Sequence, residues 1–382
     1  MNMVEQIATV PRDRTPSPLR VCFVQAYRAP DYIRGRSIRA ALRASERVDL
    51  TEATNTSRGP ARYWQAIRGL LQARRQHDPD IYVLGFRGHE IAWLVRWVTR
   101  GKPLVMDALM SPYASMSEES KFGWAGRMLS RVWRPYESAI LHACDGVLTD
   151  TGSHASYYRS QFQLGDGHVL AIPVGAEEVP AETLPCRALH HDSPLRVLFY
   201  GSFLPLHGVD IILEAASQLT DLPIEFRFIG GTRAQAERLQ QRCRLLGISR
   251  YSHTRWVAFE KIISDEIPDA TLCLGGPFGG TPQARRVITG KTSQCMALGQ
   301  ATIVGRIPEQ HGFIDRHNCL LVEQGDARSL AAAIRWAHAH RDALADIGER
   351  GRELYRQRLS RASIRDALVP FLEQLAARVE PA

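Results

Sequence analysis

Short apolar runs alternate with amphipathic stretches from one end of the chain to the other. In the first half, RVCFVQA (20–26), DIYVLGF (80–86), PLVMDAL (103–109) and GVLTD (146–150) have the length and bounding residues of buried strands. The segments between them carry helical periodicity. The second half repeats the rhythm with RVLFYGSF (196–203), EFRFIGG (225–231), RWVAF (255–259), TLCLGG (271–276), ATIVGR (301–306) and LLVEQG (320–325). Apolar strands separated by helices predict an α/β fold with parallel sheets covered on both faces. Ligands of such sheets bind beyond the carboxyl ends of the strands, so the loops at 27–36, 87–90 and 110–115 draw attention first.

The rhythm breaks at VGAEEVPAETLPCRALHHDSP (174–194), where proline, acidic residues and a His pair interrupt it. A chain of 382 residues is also long for one hydrophobic core. Two domains are expected, 17–185 and 195–360. The final stretch places Ile364, Leu368, Leu372 and Leu375 on one face, which predicts a helix over 362–380 packing back on the first domain.

Composition narrows the class. With 45% hydrophobic and 23% charged residues the chain reads as globular, and no apolar run approaches the roughly 20 residues that span a bilayer. The leader MNMVEQIATVPRDRTPSPLR lacks the features of a secretory signal, so a cytoplasmic location is expected. Seven cysteines without a CxxC pair suggest free thiols and no metal site. The net charge of +8 favours anionic partners. Only four of the 48 basic residues are lysines, so Lys291, in a glycine-flanked loop, stands out. The helix predicted over KFGWAGRMLSRVWRPYESAI (121–140) separates Phe122, Leu129, Trp133 and Tyr136 from Arg127, Arg131 and Arg134. It can lie on an anionic membrane or pack internally on its sheet.

Three loops of the second half could carry chemistry. In YGSFLPLHGVDIILEAA (200–216), Gly201 ends a strand and Gly208 opens a helix whose free N–H groups suit an anion, with Ser202 and His207 between them. FIGGTRA (228–234) sets Gly230 and Gly231 at another strand end. GPFGGTPQARRVITGKTSQCMALG (276–299) presents Phe278, Gly279 and Thr281, then Arg286, Lys291 and Gln294; exposed amides, a guanidinium and an ammonium would form a diphosphate clamp that needs no metal. In the first half, Asp107 ends a strand where a general base or acceptor-orienting carboxylate belongs, with Ser111 beside it. Arg34 and Arg36 follow the first strand, where they could close over donor phosphates or form a solvated loop.

Together YGSFLPLHGVDIILEA, FIGGT, GPFGGT, KTSQCMALGQATIVG and NCLLVEQGDARSLAAAI resemble the C-terminal domain of family-4-type retaining glycosyltransferases. The likeness covers roughly 195–345 well and the first half loosely, through VMDALMSPY and YESAILHACDGVLTDTGSHASYY. It implies the GT-B fold, two facing Rossmann-like domains with a cleft between them. It also implies a nucleotide-diphosphate-sugar donor held mostly by the second domain, no cofactor beyond that co-substrate, and a saccharide, lipid-linked or other hydroxyl acceptor. Transfer with retention and without metal, in polysaccharide or glycoconjugate biosynthesis, is the expected activity.

The chain departs from the family pattern at the residues that matter most. Where the family has an Arg and a Lys on the donor diphosphate, it has Ser202 and His207; where the family has two glutamates eight residues apart, it has Arg286 and Gln294. One reading moves phosphate duty to Arg286 and Lys291 and leaves Gln294 on the ribose. The other is a degraded site kept for binding. A sugar-nucleotide epimerase of the same fold is a further alternative. A dinucleotide dehydrogenase lacks its GxGxxG fingerprint, and dispersed arginines without aromatic RNA motifs argue against nucleic acid.

Overall fold

The computed structural model describes residues 17–118, 123–179, 193–309 and 311–378. Most of the expected linker, residues 180–192, therefore lies outside the described residues, as do Lys121 and Phe122.

Two six-stranded parallel sheets form the molecule. The first comprises β1 (Leu19–Gln25), β2 (Val48–Thr54), β3 (Ile81–Leu84), β4 (Leu104–Asp107), β5 (Gly146–Thr149) and β6 (Val169–Ala171), in the order β2-β1-β3-β4-β5-β6. Successive side chains of a strand face opposite ways, and here both faces are apolar. Cys22, Val24, Tyr82 and Leu84 pack toward α2 (Ala61–His77), α3 (Ala92–Val98), α5 (Gly123–Ala143) and α6 (Gly152–Phe162), connected past the short α4 (Pro112–Ser117). Val21, Phe23, Ile81 and Val83 pack the other way, against α1 (Ile33–Arg43) and the apolar face Ile364, Leu368, Leu372, Leu375 of the final helix.

The second sheet comprises β7 (Leu195–Tyr200), β8 (Ile224–Ile229), β9 (Tyr251–Thr254), β10 (Leu272–Gly276), β11 (Thr302–Gly305) and β12 (Leu320–Val322), ordered β12-β11-β10-β7-β8-β9. Its helices are α7 (Val209–Ser217), α8 (Arg233–Leu245), the single turns α9 (Phe259–Lys261) and α10 (Ile267–Asp269), then α11 (Gly290–Ala297), α12 (Ala327–Ala339) and α13 (Arg341–Arg358), after which the final helix α14 (Arg361–Ala377) returns to the first sheet. Strand order reverses between β1 and β3 in one sheet and between β7 and β10 in the other. Crevices open at such switch points, so the tips of β7 and β10 are where a ligand is expected.

Edge strands account for the differences from expectation. β2 and β6 were not expected as strands; only Ala53 of β2 and Val169 of β6 are buried, so neither shows the apolar run of a central strand. RWVAF (255–259) is not a strand. The edge strand is the more polar YSHT just before it, and Trp256 is 78% exposed at the wall of a cleft. The apolarity of that segment serves a cavity instead of a sheet core. Among the described residues no helix is long and apolar enough to cross a membrane, and the six described cysteines are buried and free.

Candidate active site

Two adjoining cavities, of about 930 and 280 Å³, lie between the sheets and share the wall formed by Tyr32, Ile33, Tyr200, Gly201 and Ser202. The floor is backbone brought close by glycine. Gly201 and Gly230 have φ of 131° and 117°, and a Cβ on Gly230 would fall 2.0 Å from the carbonyl oxygen of Gly201. Gly230 and Gly231 line the larger cavity with Arg36, Arg255 and Trp256.

Lys291 reaches the smaller cavity from the first turn of α11. Thr289 caps that helix by accepting from the N–H of Thr292, which leaves the N–H groups of Gly290 and Lys291 without helical acceptors at the cavity wall. The ammonium is buried, 5.4 Å from the centre of the Phe199 ring, and no described carboxylate pairs with it. Burial lowers its pKa from the usual lysine range to about 7. Among the described residues this cation has no carboxylate partner, and its place at a helix N-terminus is one that can hold an anion.

His207 lines the same cavity, and its Nδ1 donates to the carbonyl of Ser202. That bond places the ring proton on Nδ1 and leaves Nε2 a lone-pair acceptor. Burial, helped by Lys291, pushes its pKa down to about 3, so the ring is neutral at pH 7 and suits a sugar hydroxyl better than a phosphate.

The expected first-domain residues are committed elsewhere. Arg34 is fully buried; it forms a two-nitrogen ion pair with Asp107 at 3.0–3.2 Å and donates to the carbonyls of Thr149, Ile172 and Pro173. Burial raises the Asp107 carboxyl and Arg34 opposes it. The pair ties α1 to β4 and to the chain around β5 and β6, and neither member lines the two cavities. Ser111 caps α4 and donates to buried Glu137 at 3.0 Å, which likewise removes it from the cleft.

The cation cluster of the second domain is divided. Arg286 does not line either cavity; its guanidinium binds Glu118 of the first domain and lies 3.8 Å from the centre of the Tyr157 ring. Of the two cations expected in the clamp only Lys291 lines the cavity, because a carboxylate and an aromatic face across the cleft compete for the Arg286 guanidinium. Gln294 borders the small cavity, but its amide accepts from the N–H of Glu177 at 2.8 Å and donates to that residue's carbonyl at 3.1 Å. Arg36 pairs with the Glu177 side chain at 2.6 Å on the rim of the large cavity. Phe278, Gly279 and Thr281 shape their loop and are not cavity-lining: Phe278 is buried and accepts from Gly325, Gly279 donates to Leu206, and Thr281 accepts from Ala284.

Sequence reasoning missed the carboxylate that does border the small cavity. Asp150, just past β5, accepts from His154 at 2.7 Å and from the N–H of Ile288 across the cleft at 3.2 Å. Its signal was the same strand-end position that pointed to Asp107, and only packing separates the two. Buried Gln283, with an unpartnered Oε1, also lines this cavity and carried no motif.

Residues 194–340 match the family model described as Glycosyl transferases group 1. Sucrose-phosphate synthase from Thermosynechococcus elongatus superposes with a TM-score of 0.68 at 17% identity, over 94% of this chain and 100% of that one. HepE from Anabaena, solved with UDP and glucose, gives 0.66 at 14% identity over 93% and 99%. A glycosyltransferase from Rickettsia africae gives 0.64 at 12% identity over 94% and 99%. A comparison with curated protein sequences finds no match. The fold is GT-B, and the family match lies within the half of the chain that carries the second sheet.

Proposed function

We propose that the protein moves a glycosyl group from a nucleoside diphosphate sugar to a hydroxyl acceptor, with retention, needing neither metal nor cofactor beyond the donor. The observation that carries this reading is the buried, unpaired Lys291 ammonium beside the free N–H groups at the start of α11. It is the charge and geometry a diphosphate requires. The neighbour solved with UDP and glucose, and again with UDP-glucose, supports a uridine nucleotide donor.

In this assignment the nucleoside occupies the larger cavity, along Gly230, Gly231 and Trp256. The diphosphate lies over Gly201 against Lys291, and the sugar enters the small cavity beside His207 and Asp150. Charge grows on the leaving diphosphate as the glycosidic bond breaks, and Lys291 with the helix amides stabilises it where it forms. A leaving phosphate oxygen then takes the proton of the acceptor hydroxyl attacking on the same face, so no protein nucleophile is required. The first domain would hold the acceptor, a saccharide, lipid-linked or other hydroxyl compound of polysaccharide or glycoconjugate synthesis on the cytoplasmic side.

Incubation with UDP-, GDP- and dTDP-sugars, with and without membrane extract, tests the reading through acceptor-dependent nucleotide release. Failure of every nucleotide sugar to shift the melting temperature would remove it. Binding without release would leave a donor-binding protein, and acceptor-independent conversion of one nucleotide sugar into another would indicate an epimerase.

A further inference from the structure

The helices α2, α3 and α5 all bury their inner residues on one face of the first sheet, through Ile67 and Leu70, Val95 and Val98, and Ile140 and Leu141. Their outer faces are unusually apolar for exposed surface. Trp64 is 68% exposed, Trp97 59%, Trp124 76% and Val132 68%, with Trp93 and Leu94 between them. Five of the chain's seven tryptophans stand on these three helices.

The charge of the same helices is one-sided. They carry eight arginines and a single acid, Glu137, which is buried. Arg68, Arg74, Arg75, Arg131 and Arg134 are exposed and pair with no described carboxylate. Helices of the second domain differ: Arg233 pairs with Glu237, Arg242 with Glu214 and Arg335 with Asp221.

We propose that this face docks on an anionic lipid bilayer. Tryptophan favours the boundary between headgroups and acyl chains, and unpaired arginines are attracted by the negative surface potential of anionic lipid. A second copy of the chain fits the face poorly, because a two-fold contact would bring the same unpaired arginines together. Along the chain α5 begins five residues after Glu118, whose carboxylate holds Arg286 at the domain junction. Docked this way, the protein presents its cleft to a hydroxyl acceptor carried on a lipid. That last step rests on the transferase reading; the docking itself does not.

The test is sedimentation of the full chain with vesicles of phosphatidylcholine alone or mixed with phosphatidylglycerol. Partition onto the mixed vesicles is expected to exceed that onto phosphatidylcholine by about tenfold or more, with a blue shift of tryptophan emission. The triple variant Arg68→Gln, Arg75→Gln, Arg131→Gln removes the preference for anionic lipid. The triple variant Trp93→Ser, Trp97→Ser, Trp124→Ser removes the blue shift and most of the binding. Arg238→Gln with Arg244→Gln, on the exposed side of α8, binds as the parent does. Circular dichroism and unchanged melting show that the variants fold. No binding of the parent to mixed vesicles, equal binding by all variants, or a stable dimer that the tryptophan variant dissociates each overturns the proposal. Thermal shift with nucleotide sugars on the same preparations separates the two readings: lost vesicle binding with donor binding intact removes only the docking face.

Discussion

Each sheet carries a buried cation in the first turn of the helix that follows one of its strands, and the two cations are treated in opposite ways. Arg34 in α1 meets a carboxylate and three carbonyls, and Asp107 spends its charge entirely on that pair. Lys291 in α11 meets an aromatic ring, glycine backbone and a cavity. A guanidinium is always charged and has donors to satisfy on several sides, so it suits a permanent junction. A lysine can be held near neutrality by burial until an anion arrives. The comparison separates a cation satisfied within the fold from one left facing a cavity, although both stand in the first turn of a helix.

Breaking the comparison at Arg34 should have the largest effect. Arg34→Met strands the Asp107 carboxylate in the core, and the expected loss is about 3–5 kcal/mol of stability in denaturant unfolding. A loss of under 1 kcal/mol would mean the pair is dispensable.

Lys291→Met should do the reverse. It removes the cost of burying a charge, so the ligand-free protein becomes more stable, while nucleoside diphosphate binding by calorimetry weakens about 100-fold. The pH dependence sharpens the point. The folded pKa of Lys291 is lowered to about 7 from 10.5, so the unfolded chain binds more protons between those values. Stability of the ligand-free parent therefore rises with pH across that window; the cost is fully present below it. Diphosphate binding takes up a proton and should weaken as pH rises above about 7, by at most about tenfold per unit. A flat pH profile in the parent, or a profile retained in Lys291→Met, would place the proton elsewhere.

The smallest effect is expected at Arg286. Bound by Glu118 and Tyr157, it joins the domains, so Arg286→Gln should change donor affinity by less than about threefold. A loss matching that of Lys291→Met would return the guanidinium to the clamp.

Much of the architecture was legible from the sequence because central parallel strands are apolar on both faces and leave long uninterrupted runs. The edge strands β2, β6 and β9 were not, since a half-covered strand has little need of apolar side chains. Within the site, glycines and Lys291 were legible because backbone freedom and a rare residue type mark themselves locally. The fates of Asp107, Asp150, Arg286 and Gln294 were not, because each depends on a partner more than 70 residues away in the chain.

Apolar period, glycine position and the family pattern in the second half determined the sheets, the strand tips at which a site could form and the glycine-flanked loop that carries Lys291. The tertiary structure decided which charges remained free to use it. Asp107 and Asp150 both end strands, yet one is neutralised by Arg34 and the other borders the cavity; Arg286 and Lys291 share a loop, yet a carboxylate from the facing domain claims only the first. Net charge at a site is a sum over neighbours in space, and those neighbours are chosen by packing.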